Sequence, residues 1–360
     1  MKATSLHKRN IRGFSLVELM VGIVVGLLTV LAIVESFTFF EGQKRTTIGG
    51  ATAAENGLLA SFIIERDARM AGFGMAGISC ATINAHTTTP AAADFTLPSF
   101  SVTITQNTAT LKNPSTATVG TDTVEIIYSS SPFGSIPGII QTDMPDSSYS
   151  LNVDNGVGFT QNQLILISQG TTDCALIQAS ADSIQTGTPN VTGPGTQWNV
   201  PTATGAAFHF NAVTFPAGGY TSGAKAMNMG NLVYRRYYIS NNNLMVDELT
   251  TTGTSAGALA TQTLVNGIIS MKAHYGNDTG TDGYVDAWGY TAPTSNDKLV
   301  ALRIGLLARV GVYEKTVVTP STTISLWPSG PTATITTDEQ HYRYKSFYTT
   351  IPLRNTIWNN

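Results

Sequence analysis

An uninterrupted apolar segment dominates the start of the chain. Between Leu16 and Val34 the only charged residue is Glu18. A helix over residues 14–40 would measure roughly 40 Å, because each residue adds about 1.5 Å, and the hydrocarbon core of a bilayer is about 30 Å thick. The pattern therefore predicts an N-terminal helix that is long enough to cross a membrane.

A second periodic segment follows the glycine pair at 49–50. Apolar residues recur there every three or four positions, which predicts an amphipathic helix that ends in the glycines at 72–77. We expect its apolar stripe to pack on a sheet and its charged residues to face solvent. The predicted stripe consists of Ala54, Leu58, Leu59, Phe62, Ile63 and Met70, and the predicted solvated face of Glu55, Glu65, Arg66, Asp67 and Arg69.

Beyond residue 82 the pattern changes to short apolar or alternating runs separated by Gly, Pro, Asn, Ser and Thr, which predicts strands joined by long loops. The predicted strands cover 101–106, 122–128, 163–168, 174–179, 231–240, 243–249 and 298–310, followed by a last strand near the C-terminus. The asparagines at 241–243 predict a hairpin turn. The predicted loops cover 87–93, 129–150, 183–206 and 250–261. The predicted fold class is α+β, with a long N-terminal helix packed on a β-rich head.

Composition and charge narrow the class of protein. Charged residues make up 12% of the chain and hydrophobic residues 42%, whereas about 25% of residues are charged in a typical soluble domain. The low Lys and Arg content argues against a general nucleic-acid binder. Residues 1–13 carry four basic residues and no acid, which predicts a cytoplasmic N-terminus with the rest of the chain outside the cytoplasm.

The two cysteines are Cys80 and Cys174, and neither lies in a C-x-x-C motif or beside a histidine. A zinc site is therefore not indicated. In an exported protein two cysteines most simply form a disulfide. The alternative is a pair of buried free thiols.

Three kinds of N-terminal segment share the apolar run. A cleaved secretory signal needs a small-residue site after the run, which ESFTFFEGQKR lacks. An ordinary membrane anchor gives no reason for Glu18, since a charge inside the bilayer costs about 2.5–3.5 kcal/mol on insertion scales. The third kind is the class III signal of type IV prepilins, which RGFSLVELMVGIVV resembles in its glycine, phenylalanine, glutamate and apolar run.

The prepilin resemblance implies specific processing. A membrane-bound prepilin peptidase would cut after Gly13 and methylate the new N-terminal residue, Phe14. Glu18 would then be the fifth residue of the mature chain, where a neighbouring subunit's N-terminal amine would neutralise it during assembly. The alternative for Glu18 is a side chain that merely reaches the membrane interface. The implied domains are a removed leader (1–13), a pilin helix (14–72, with 14–40 in the membrane or filament core) and a β-rich head (73–360).

Two further regions resemble the PilW-type minor pilins. ENGLLASFIIERDARMAGF is similar to the end of the pilin helix in that group. NLVYRRYYISNNNLM, LVNGIISMKAHYGNDTGTDGYVDAW and VALRIGLLARV then follow in the group's order, whereas residues from about 85 to 225 carry no resemblance. The resemblance implies a structural subunit that helps to initiate or cap assembly of a type IV pilus, a filament used in functions such as adhesion and twitching motility.

The implied partners are the prepilin peptidase, other minor pilins and the major pilin, with a tip adhesin as a further candidate. The implied location is the bacterial inner membrane, with one span, a cytoplasmic N-terminus and a periplasmic head, and later the pilus on the cell surface. Two alternatives share the N-terminal signal: a pseudopilin of a type II secretion system, and a pilin-like surface module that binds a ligand. Without its leader the chain has 16 basic and 23 acidic residues, which disfavours nonspecific DNA binding.

An acidic, glycine-containing segment near residue 280 suggests one cofactor, calcium. Asp278, Asp282 and Asp286 stand at positions one, five and nine of a calcium-loop pattern, with Gly283 at position six. The pattern departs at position three, which is Gly280, and at position twelve, where Gly289 replaces the usual glutamate. The alternative is a plain acidic turn between strands.

No catalytic motif accompanies these features. The five histidines form no H-E-x-x-H motif, and the chain has neither a G-x-S-x-G elbow nor a P-loop. The tyrosines and arginines of YRRYY at 234–238 resemble a surface that stacks on single-stranded nucleic acid, but alternation along a strand favours ordinary packing. The sequence therefore predicts neither an enzyme nor a specific nucleic-acid partner.

Overall fold

The computed structural model describes residues 13, 15–75, 77–78, 80–87, 92–132, 136–186, 197–204, 207–252, 256–280 and 282–357. Phe14 and most of the predicted leader lie outside these residues. The chain divides into two compact units, 1–51 and 52–360.

Helix α1 spans Leu16–Ala68, and its first part forms the described portion of the first unit. The run of Leu, Val, Ile and Ala contains no proline, so no residue interrupts the backbone hydrogen-bond ladder. A strongly apolar stretch of this helix is not buried, and by length and composition the helix can cross a membrane. The predicted long apolar helix is thus confirmed, although it ends four residues before the predicted boundary at residue 72.

The second unit is rich in β-structure, and the predicted α+β class is confirmed. The strands are β1 Thr82–Thr87, β2 Ala93–Pro98, β3 Val102–Gln106, β4 Asp122–Tyr128, β5 Gly138–Ile139, β6 Leu151–Val153, β7 Leu164–Ser168, β8 Cys174–Gln178, β9 Ile184–Thr186, β10 Gln197–Val200, β11 Lys225–Gly230, β12 Val233–Ser240, β13 Asn243–Leu249, β14 Leu259–Asn266, β15 Ile268–Asn277, β16 Ala287–Gly289, β17 Leu299–Arg309, β18 Thr323–Ser325, β19 Thr332–Thr334 and β20 Tyr344–Pro352. Short 3₁₀ helices lie at His209–Ala212, Asn296–Lys298 and Asp338–His341, and a last helix, α2, at Arg354–Ile357.

Three larger sheets organise the head. A six-stranded sheet has the order β2-β1-β8-β7-β11-β5, a five-stranded sheet β14-β13-β12-β4-β3, and a four-stranded sheet β16-β15-β17-β20. Two small sheets, β6-β10-β9 and β18-β19, complete the described strands. The end of α1 shares one hydrophobic core with the five- and four-stranded sheets, through residues such as Ile64, Ile126, Tyr237 and Leu302.

The predicted apolar stripe of the amphipathic helix is wrong, because most of it faces outward. Leu58 is 62% exposed and Phe62 is 63% exposed, while Ile63 is partly buried. The buried face instead consists of Ala53, Gly57, Ala60, Ile64, Asp67 and Ala68. A Cβ atom on Gly57 would overlap the ring of Phe347 in β20. The close approach of helix and sheet thus selects small residues, which a hydrophobicity pattern does not reveal.

The strand predictions are correct where a strand is continuously apolar and incomplete elsewhere. Every predicted strand is present, but the loops predicted at 183–206 and 250–261 contain β9, β10 and the start of β14. The side chains of β14 are mostly exposed and polar, so the strand lacks the apolar signal. The hairpin turn is confirmed, since Asn241 and Asn242 both have positive φ between β12 and β13, as a type I′ turn requires.

Candidate assembly site

The apolar part of α1 presents its side chains to the surroundings. Gly13 lies in irregular backbone before the first helical residue, and Glu18 lies exposed in the first turn of the helix. An acidic side chain in the first turn interacts favourably with the positive end of the helix dipole. Phe14, the predicted methylated residue, is outside the described residues, so the structure describes Gly13 and Glu18 on either side of it.

The exposed apolar surface of α1 is far larger than a folded monomer in water normally tolerates. Its large members, each more than half exposed, begin at the helix start and continue past the first unit. They include Leu16, Leu19, Ile23, Leu27, Leu31, Phe37, Phe40, Ile48, Leu58 and Phe62. A surface of this kind needs lipid or other apolar helices as its environment.

A buried ion pair joins the end of α1 to the five-stranded sheet. Asp67 is only 1% exposed, so its assignment to the solvated face is wrong. Arg235 in β12 places its Nη1 atom 2.6 Å from Asp67 Oδ2 and its Nη2 atom 2.7 Å from Glu248 Oε1 in β13. The Tyr237 hydroxyl also donates to Asp67 Oδ2, and Arg66 Nε lies 3.1 Å from Asp67 Oδ1.

The two phenols at this junction stay protonated. Burial, together with the negative charge of Asp67, raises the pKa of the Tyr237 phenol well above its usual value. Burial and Asp67 also raise the pKa of the nearby Tyr128. Both phenols therefore remain protonated at neutral pH, and Tyr237 can always donate its hydrogen bond to the carboxylate.

The next residue along β12 forms a second ion pair on the sheet. Arg236 Nη2 lies 2.6 Å from Asp247 Oδ2, and Arg236 Nη1 donates to Asn113 Oδ1 at 2.8 Å. Asn113 in turn donates to Glu125, whose pKa is raised by burial. The YRRYY segment is therefore used for packing and ion pairing within the head, as predicted.

The predicted disulfide between Cys80 and Cys174 is present, with the Cα atoms 5.6 Å apart. Cys80 lies just before β1 and Cys174 begins β8, the neighbour of β1 in the six-stranded sheet. Both cysteines are buried. The bond therefore links the segment that follows the pilin helix to the central part of the head.

The acidic loop differs from the predicted calcium pattern. Asp278 and Asp286 both approach the space beside Gly280, because a Cβ atom there would lie 3.4 Å from Asp278 Oδ1 and 3.7 Å from Asp286 Oδ2. Asp282 instead accepts a hydrogen bond from the backbone N–H of Tyr284. Among the described residues no group of three or more His, Cys, Asp or Glu side chains is arranged to hold a metal ion.

Two protein-family models match parts of this chain. Residues 8–34 match the prokaryotic N-terminal methylation motif, and residues 236–355 match the family described as type IV pilus-assembly protein W, PilW. Together the two matches support a PilW-type minor pilin with a prepilin signal. No characterised protein and no solved structure gives a significant match.

The PilW match covers most strands of the two sheets that share a hydrophobic core with the pilin helix. It begins at Arg236 in β12, and it includes β13, β15, β17 and β20, which belong to the five- and four-stranded sheets. The residues between the two matches include the whole six-stranded sheet and belong to neither family model. The PilW-type pilin is thus a type IV pilus subunit, with an apolar helix as its membrane anchor and with other pilus components as its interaction partners.

The sequence indicates both halves of the Asp67 junction without joining them. The R-D-x-R-M segment and the YRRYY segment each resemble PilW-type pilins, but nothing in a single sequence pairs residues 168 positions apart. The one available signal was an acid, Asp67, that continues the three- and four-residue spacing of Gly57, Ala60 and Ile64.

Proposed function

We propose that this PilW-type pilin is cut between Gly13 and Phe14, methylated on Phe14 and then helps to initiate or cap type IV pilus assembly. The observation that carries the proposal is a prepilin signal joined directly to a long, exposed apolar helix. Before assembly the helix anchors the chain in the inner membrane with a periplasmic head. After assembly the same helix lies in the filament core at the cell surface.

The exposed apolar side chains near the C-terminal end of α1 support an assembly role. Leu58, Leu59 and Phe62 are exposed in the monomer although they belong to the same helix as the membrane segment. Helices of neighbouring pilins offer the apolar surface that would cover them. The partners of this contact would be the major pilin and other minor pilins, while the prepilin peptidase acts earlier and a tip adhesin would contact the head.

The function is structural rather than catalytic. The matched families are a pilus-assembly family and an N-terminal methylation motif, which support our proposal that this chain is a substrate of the prepilin peptidase. A pseudopilin role in type II secretion is the competing proposal, because pseudopilins share the signal. A deletion that abolishes twitching and leaves protein secretion intact supports the pilus role, whereas the opposite phenotypes would support the secretion role.

Replacing Glu18 by alanine tests the proposed assembly step. We expect Glu18→Ala to be cleaved by the peptidase as the wild type is, but to be recovered in sheared pili at least about fivefold less. The reason is that a carboxylate in an apolar filament core needs a positive partner, and the proposed partner is the N-terminal amine of a neighbouring subunit. Quantitative immunoblots of membranes and of sheared pili measure the two steps separately.

Glu41→Ala is the matched control, since Glu41 also lies on α1 but beyond the proposed membrane part. The control should be incorporated at the wild-type level. Wild-type incorporation of Glu18→Ala would refute the proposed pairing.

A further inference from the structure

The loop between β15 and β16 holds a buried carboxylate oxygen that lacks a hydrogen bond. Asp278 follows β15 directly and is only 3% exposed. Its Oδ2 atom accepts a hydrogen bond from the backbone N–H of Gly283 at 2.9 Å, whereas its Oδ1 atom is buried without a partner. Such an atom is costly unless something positive compensates for the lost water, and an ion is one explanation.

A second carboxylate borders the same space. The backbone N–H of Asp286 donates to the carbonyl of Asn277 at 2.9 Å, which closes the loop. Asp286 Oδ2 accepts hydrogen bonds from the backbone N–H and hydroxyl of Thr279 and from the N–H of Gly280. These hydrogen bonds fix the carboxylate of Asp286 beside Gly280.

The space between the two carboxylates is kept open by a glycine. Gly280 has no side chain, and a Cβ atom there would lie within 4 Å of oxygens from both Asp278 and Asp286. The residue that breaks the calcium-loop pattern in the sequence thus leaves room between two negative groups. Residue 281 lies outside the described residues and is not needed for this arrangement.

A positive group already approaches the loop. The ammonium of Lys298, which directly precedes β17, donates to the carbonyl of Gly280. The loop therefore attracts cations, although the lysine does not bond to the free Oδ1 atom of Asp278.

We propose that this loop binds one calcium ion between Asp278 and Asp286, with Asp278 Oδ1 as a direct ligand and with the Lys298 ammonium displaced from Gly280. Calcium takes six to eight oxygen ligands in irregular geometry, so loop carbonyls and water complete its shell, whereas magnesium requires a near-ideal octahedron. Two carboxylates predict a weak site, with a dissociation constant of about 10⁻⁴–10⁻³ M, as in extracellular modules. The proposal does not depend on the role of the pilin in assembly.

Calorimetric titration of the detergent-solubilised full chain with calcium chloride tests the site. We expect binding in the stated range and no comparable heat with magnesium chloride. Asp278→Asn keeps the shape of the side chain but removes its charge, so it should weaken binding about tenfold or more. Lys298→Met removes the competing ammonium and should tighten binding about threefold or more, since opposite charges a few ångströms apart attract even near the surface.

Asp282→Asn is the matched control, because it removes one charge from the same loop at a side chain that is bonded to Tyr284 instead. It should change the calcium affinity less than about threefold, because the Asp282 carboxylate is not one of the two proposed ligands and acts only from a greater distance. Circular dichroism of each variant checks that the head is folded, and Asp286→Asn replaces Asp278→Asn if the latter is not. Absence of binding up to about 10 mM calcium, which is above the expected range, would overturn the proposal. So would equal affinities of wild type, Asp278→Asn and Lys298→Met.

Discussion

Asp67→Ala is expected to lower the free energy of unfolding of the head by about 3 kcal/mol, the lower end of the range for breaking a buried ion pair, because Arg235 keeps the partly exposed Glu248 as a partner. Arg235 would lose the carboxylate at 2.6 Å, and the buried Tyr237 hydroxyl would lose its acceptor. Denaturant unfolding of the full chain, followed by tryptophan fluorescence, measures the change.

Glu65→Ala provides the control on the same helix. Glu65 pairs with Arg69 in an i,i+4 arrangement near the surface, and exposed pairs of this kind contribute only about 0.3–0.5 kcal/mol. If Asp67→Ala were no more destabilising than Glu65→Ala, the Asp67 junction would not hold the helix to the head.

A double variant separates the ion pair from general packing. Asp67→Leu combined with Arg235→Met removes both charges and leaves apolar side chains of similar size, a change that is often neutral or stabilising at buried pairs. We therefore expect the double variant to be more stable than Asp67→Ala. If the double variant loses as much stability as the single variants Asp67→Leu and Arg235→Met lose together, the two residues do not interact.

Loss of the disulfide is the second large effect that we expect. The bond joins cysteines 94 positions apart. Removing a native disulfide typically costs about 2–5 kcal/mol of stability, chiefly because the unfolded chain gains conformational entropy without the cross-link. Cys80→Ala combined with Cys174→Ala is the suitable variant, since serine would place two hydroxyls in buried positions. Unfolding with and without dithiothreitol measures the effect.

Reduction of the wild-type protein is the control for the double alanine variant. Full reduction should lower the stability of the wild type toward that of the double alanine variant and should leave the variant unchanged. An oxidised wild type that is no more stable than the variant would contradict a stabilising role for the bond.

The sequence predicted those parts of the fold whose signal is local. The apolar run of α1, the continuously buried strands β4, β7, β8 and β17, and the Asn241–Asn242 turn each follow from residues close together in the chain. The buried face of α1 could not be predicted in the same way, because it is set by how closely Phe347 approaches Gly57. Small residues at that face carry almost no hydrophobic signal.

The candidate site shows the same division. The processing residues follow from a compact sequence motif, whereas the Asp67–Arg235 pair joins two residues that are 168 positions apart in the chain. The spacing of the acidic loop predicts Asp282 as a calcium ligand together with Asp278 and Asp286. In the structure Asp282 instead accepts a hydrogen bond from the backbone N–H of Tyr284. Local chemistry was therefore predictable, and the partners chosen by the tertiary fold were not.

The most direct test of the pilin assignment is the intact mass and N-terminal sequence of the chain recovered from cells that contain the prepilin peptidase. The account predicts a mature protein that begins at residue 14, with one methyl group on the amine of that residue and with Glu18 in fifth position. A chain that retains residues 1–13, or one that is cut after the apolar segment near residue 40, would contradict it.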